Sequence, residues 1–120
     1  MKKDDLLSIS PLDGRYSEIC KDIGNIFSEY SLIKYRVHVE VKWFIYLSKL
    51  NKISELPALT VKDEKFLNSI LSDFDINDAK IVKKFEKTTK HDVKAVEYYL
   101  KSKFDESNHK ECLRMFKINN

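Results

Sequence analysis

The stretch IFSEYSLIKYRVHVEVKWFIYLSKL, residues 26–50, decides the fold. Its side chains Ile26, Tyr30, Ile33, Val37, Val41, Phe44 and Leu47 recur every three or four residues. A helix turns once in about 3.6 residues, so this spacing puts them on one face. Inside the stretch, Val37-His38-Val39-Glu40-Val41 alternates as a strand does. The longer period, with no Gly or Pro between positions 25 and 56, favours one long amphipathic helix.

Downstream, Pro57 breaks the pattern. Thr60 followed by Asp63 has the spacing of a loose capping box, in which each side chain bonds the other's backbone N–H. Phe66, Leu67, Ile70, Leu71 and Phe74 mark a second helix. Asp75 or Asn77 caps a third, whose apolar face is Ile81, Val82 and Phe85. Asp92 opens a fourth, carrying Val93, Val96, Tyr99, Leu100 and Phe104. Residues 105–120 start polar and end in an apolar stretch with Leu113, Met115, Phe116 and Ile118, expected as a divergent tail. Upstream, residues 1–16 lack a period and carry Pro11 and Gly14, the signature of an extended arm with a turn. The chain thus reads as all-α, a single helical domain over 1–120 packed as a compact bundle. The apolar stripes are assigned to its core.

Composition narrows the function. Two glycines, Gly14 and Gly24, are too few and too far apart for a Gly-rich phosphate loop or a dinucleotide fingerprint. The net charge of +3 is mild and the lysines are scattered among acids, so no nucleic-acid partner is expected. Cys20 and Cys112 lie far apart with no CxxC, as free thiols in a reducing compartment do. Lys2 and Lys3 are followed by Asp4 and Asp5 instead of the apolar run of a signal peptide. The longest apolar run, residues 43–47, is too short to span a membrane. A cytoplasmic location is expected.

Two segments carry chemistry. The first is TTKHDVKAVEYYL, residues 88–100. It sets two hydroxyls, an imidazole and a carboxylate at the mouth of a helix, whose free N–H groups suit an anionic ligand. His91 can exchange a proton near neutral pH. The plainer reading is that Asp92 caps the helix and the threonines end the previous one. The second is SPLDGRY, residues 10–16. Pro11 and Gly14 shape a turn, and Gly14 admits close approach of a ligand to backbone. Arg15 offers a planar fork of donors for a phosphate, and Tyr16 adds a hydroxyl and a ring. Equally, Asp13 and Arg15 can pair on an exposed turn.

Three strings, SPLDGRY at 10–16, GNIFSEYSLIKYRVHVEVKWF at 24–44 and FEKTTKHDVKAVEYYL at 85–100, together resemble the N-terminal part of bacterial adenylosuccinate lyases. That family belongs to the fumarase/aspartase superfamily. The resemblance runs collinearly over about residues 6–104. It implies elimination of fumarate from adenylosuccinate, leaving AMP, and from the succinyl-carboxamide ribotide of purine synthesis. A base takes a proton beside a carboxylate and an acid protonates the departing nitrogen, with no metal or organic cofactor. By resemblance, Arg15 and Tyr16 contact the nucleotide phosphate, and Thr89, Lys90, His91 and Asp92 form a substrate-binding segment. His91 would hold the substrate and orient or assist the acid, and Asp92 would fix the imidazole or cap the helix. Close relatives usually have Asn at position 90, so Lys90 implies a retuned contact.

Past Phe104 the resemblance fades. The Thr-Ser pair that the family supplies to substrate has no counterpart in residues 111–120. The family's central helical bundle, its homotetramer, and its principal acid and base are expected outside this chain. The first expectation is therefore a lyase fragment that is inactive alone. The alternative is a non-enzymatic module that binds purine nucleotide weakly or docks on a full-length lyase. In either case apolar surface of the 26–50 helix is expected to be left uncovered.

Overall fold

Ser28 ends one helix and starts the next. Its backbone is extended (φ −76°, ψ 167°) and its N–H still bonds the Gly24 carbonyl behind it. Its hydroxyl accepts the Ser31 N–H at 3.2 Å, in the manner of an N-cap. The long helix therefore begins at Glu29, not at Ile26, and a separate short helix precedes it.

The computed structural model describes residues 4–50 and 59–119. The break expected at Pro57 lies outside them. By its internal contacts the chain divides into two units, Met1–Leu32 and Ile33–Asn120. The division falls within the long helix.

In the first unit a 3-10 turn spans Asp5–Leu7, capped by Asp4, and turns follow from residue 11 to residue 20. The arm expected to be extended is thus mostly coiled into turns. Asp13 draws the SPLDGRY turn together by accepting the Ser10 N–H at 2.9 Å. Helix α1, Lys21–Phe27, follows. Ile19, Ile23, Ile26 and Phe27 all remain exposed.

Helix α2, Glu29–Lys49, buries Ile33, Val37, Val41, Phe44 and Leu47 as its period predicts. Helix α3, Val61–Ser72, opens on the expected capping box of Thr60 and Asp63. Helix α4, Ile76–Thr89, is capped by Asp75, which bonds the N–H groups of both Asn77 and Asp78. Helix α5 is Asp92–Glu106 and helix α6 is Lys110–Asn119. Among the described residues there is no strand.

The segment expected as a divergent tail is therefore partly a core helix. Cys112, Met115 and Phe116 are fully buried, at the three-and-four spacing of a helical face. Phe104 lies at the centre of the second unit. Its ring centroid is 5.2 Å from Phe116, 6.1 Å from Phe66 and 6.2 Å from Phe44, so one side chain joins α2, α3, α5 and α6. Buried Tyr99 donates to Asp78 Oδ1 at 2.9 Å, locking α5 to the capping box of α4.

The outer side of α2 carries Tyr35, Val39, Trp43 and Tyr46, each about half exposed or more. Spaced four, four and three apart, they form an uncovered apolar stripe, as expected for this helix.

Two outcomes follow from this packing. Phe104→Ala should destabilise the chain by about 3–5 kcal/mol, read by urea or thermal unfolding. Sedimentation velocity should show concentration-dependent self-association that Val39→Glu with Trp43→Glu reduces. Unchanged association in that double variant would remove the stripe from consideration.

Candidate functional site

The turn between α4 and α5 is built by its own residues. Lys90 closes α4 in the left-handed region (φ 54°, ψ 28°), its N–H bonding the Glu86 carbonyl at 2.7 Å. A residue with a Cβ pays roughly 1–2 kcal/mol for that backbone. Thr89 holds the turn from one side. Its hydroxyl accepts the His91 N–H at 3.2 Å and donates to the His91 carbonyl at 3.0 Å.

His91, not Asp92, is the N-cap of α5. Its backbone is extended, and its Nδ1 accepts the Lys94 N–H at 3.2 Å. A nitrogen that accepts is unprotonated, so the ring proton sits on Nε2 and that edge is free for a ligand. Asp92 is the first helical residue. Its Oδ1 accepts the Val93 N–H at 2.8 Å and its Oδ2 pairs with Arg36 Nη1 of α2 at 3.0 Å. The Val93 N–H and the Arg36 guanidinium hold the Asp92 carboxyl below its usual range.

Beside the turn lies a cleft of about 500 Å³, lined by Phe85, Thr88, Thr89, Lys94 and Tyr98. The rings of Phe85 and Tyr98 run nearly parallel, 6.2 Å apart, across the two helices. Lys94 Nζ meets Glu97 Oε2 at 2.9 Å, which raises the lysine's pKa and keeps it charged. Hydroxyls and a cation over an aromatic wall suit a flat ligand bearing an anionic group.

The second segment differs from its sequence reading in one respect. Gly14 is buried, and a Cβ there would lie 2.8 Å from the Asp5 carbonyl oxygen and 2.9 Å from Ser8 Cβ. The close approach it permits is to the chain's own arm, not to a ligand. Arg15 and Tyr16 both remain exposed, with the guanidinium carbon 5.0 Å from the ring centroid.

The turn thus gathers Thr89, Lys90, His91 and Asp92 in the second unit, while Arg15 and Tyr16 form a pair in the first. Sequence reasoning missed Arg36, Phe85, Lys94 and Tyr98. Arg36 is 56 positions from its partner, and no local signal links them. Lys94 and Tyr98, four apart in the quoted string, were within reach of a helical-face reading.

No family model matches the chain. Curated proteins do. It is 49% identical over 109 residues to adenylosuccinate lyase of Legionella pneumophila (strain Corby), covering 90% of this chain and 24% of that protein. It is 50% identical over 99 residues to adenylosuccinate lyase of Dictyostelium discoideum, covering 82% of this chain and 21% of that protein. It is 44% identical over 106 residues to adenylosuccinate lyase of Escherichia coli (strain K12), covering 88% of this chain and 23% of that protein. The described residues of this chain are helices and turns, and these relatives are lyases. The chain belongs to the adenylosuccinate lyase family and corresponds to its N-terminal part. It spans about a quarter of the length of these relatives. A match over 90% of the chain leaves only about a tenth outside, at the ends, so it takes in Arg15, Tyr16 and residues 88–92.

Lys90→Gly should raise stability by about 1 kcal/mol, seen as a higher Tm, because glycine adopts the left-handed backbone freely. A lower Tm would mean that the lysine side chain outweighs that backbone cost.

Acid should weaken the second unit. For Asp78, burial works upward, but the Asp75 N–H, the Tyr99 hydroxyl and Lys103 outweigh it and lower its pKa. The Asp92 carboxyl is lowered as well. A carboxyl lowered on folding adds stability above its unfolded value and loses it as pH falls through the folded one. The urea midpoint should therefore decline below about pH 4, and decline less in Asp92→Asn.

Proposed function

We propose that the protein of which this chain forms part eliminates fumarate from adenylosuccinate to give AMP, and from the succinyl-carboxamide ribotide. The observation that carries this reading is the 44–50% identity to adenylosuccinate lyases over 82–90% of the chain. In it Arg15 and Tyr16 hold the nucleotide phosphate. Thr89, Lys90, His91 and Asp92 bind substrate. His91 orients substrate or assists the acid through Nε2, the nitrogen that its cap bond leaves free. Asp92, paired with Arg36, keeps the turn anchored to α2.

This chain alone does not catalyse the reaction. An elimination needs a base and an acid on the two sides of the breaking bond. The turn offers one imidazole beside an open cleft. The acid and base come from other parts of a homotetrameric, cytoplasmic enzyme that uses no metal or organic cofactor for this step.

The cleft also favours a second reading, weak binding of purine nucleotide by the chain itself. Its near-parallel Phe85 and Tyr98 rings and the Lys94 charge are what supports it.

Two measurements separate these readings. Purified chain mixed with adenylosuccinate should release no fumarate, and measurable release would overturn the proposed inactivity. Titration with AMP, followed by amide chemical shifts, should move residues 88–94. Shifts absent at millimolar AMP would end the binding reading.

A further inference from the structure

Far along the second unit from the α4–α5 turn in sequence, three side chains of different chemistry converge. One donor atom each from Asp63, His109 and Cys112 lies within 4.8 Å of the other two. They come from the first turn of α3, the residue before α6 and the third residue of α6. We propose that Asp63, His109 and Cys112 form a binding site for a thiophilic divalent cation of the zinc class.

Each donor is held by a partner of its own. Asp63 Oδ2 accepts the Thr60 N–H at 3.2 Å in the capping box, which leaves Oδ1 directed at His109 Nδ1, 2.8 Å away. The His109 ring lies flat on Phe66, 4.3 Å between centroids and 8° between planes. Its backbone N–H bonds the Ser107 hydroxyl at 3.0 Å. Cys112 lies three positions after His109, with two residues between them, its N–H on the His109 carbonyl at 3.0 Å and its side chain fully buried. A two-residue spacing at the head of a helix is one that zinc ligands commonly use. Partners that fix the orientation of donor side chains in this way are what metal sites require around their ligands.

The donor set selects the ion. A sulfur, an imidazole nitrogen and one carboxylate oxygen suit zinc and exclude the oxygen-seeking calcium and magnesium. Tetrahedral zinc holds its donors about 3.3–3.8 Å apart, so closing the site needs movements of about 1 Å. A water takes the fourth position. The Asp63 and His109 side chains keep 14% and 24% of their surface exposed, which gives the ion a way in.

Without metal, burial and the Asp63 charge push the Cys112 thiol up to about 12, so it carries its proton. Binding through sulfur releases that proton to solvent, and binding through Nδ1 displaces the proton of the His109–Asp63 hydrogen bond, so that the neutral imidazole carries its one proton on Nε2 instead. No electron changes hands. The cation takes the place of the proton in the Asp63–His109 hydrogen bond and offsets the negative charge that Glu111 adds near Cys112.

Cobalt(II), which reports its ligands spectroscopically, tests this on the full chain. Wild type should show a thiolate-to-cobalt charge-transfer band in the near ultraviolet and the strong visible bands of a tetrahedral ion, both abolished by added zinc. Cys20→Ser should keep them and Cys112→Ser should lose them. His109→Gln, altering a partly exposed side chain, should weaken binding by more than about 10-fold, with circular dichroism checking that it is folded. If Cys112→Ser unfolds, His109→Gln decides alone. No charge-transfer band in wild type, a band that survives Cys112→Ser, or unchanged affinity in His109→Gln overturns the proposal.

Discussion

Phe104 is the side chain on which the second unit depends. Its ring meets Phe44, Phe66 and Phe116, one from each of α2, α3 and α6, at centroid distances between 5.2 and 6.2 Å. Pairs of this kind favour tilted and edge-on contacts, because ring edges are positive and faces negative. Two of the three pairs are edge-on. An aromatic centre fixes the angle of each helix as well as its distance, which an aliphatic centre does less sharply. The positions of the helix ends follow from it, and the chemistry of this chain sits at helix ends.

Those ends use one device repeatedly. Thr60 with Asp63, Asp75 with Asp78, and His91 with the Lys94 N–H each satisfy backbone groups that a helix leaves unpaired. In each case a side chain of the cap or of the first helical turn also reaches beyond its own helix. Asp63 meets His109, Asp78 meets Tyr99, and Asp92, beside the His91 cap, meets Arg36. The same residues therefore stop or start a helix and tie it to another. For the 88–92 turn, this means that the plain capping reading and the substrate-binding reading are not rivals. The cap uses Nδ1 of His91, and a ligand can use Nε2.

The family relationship gives the turn its context. The relatives are adenylosuccinate lyases, and the match extends over most of the chain while covering about a quarter of each of them. Among the described residues the stripe on α2 and the isoleucines around α1 stay exposed, more apolar surface than helical period alone accounts for.

The sequence by itself determined what depends on neighbours along the chain. The all-α class follows from apolar spacing. The cap of α3 is the Thr60–Asp63 pair, and the buried face of α2 from Ile33 to Leu47 follows from the helical period. Where local signals competed, it was less exact. Ser28 carries a start signal that the longer apolar pattern overrides, and the close approach that Gly14 permits is to Asp5 and Ser8. Only the tertiary structure decided the contacts between distant positions: Arg36 with Asp92, Asp63 with His109 and Cys112, and Phe85 across from Tyr98. The physical reason is that hydrogen bonds and helical faces repeat within a few residues. Ion pairs and ligand sets depend instead on how whole helices pack, and that is set by buried rings far apart in the chain.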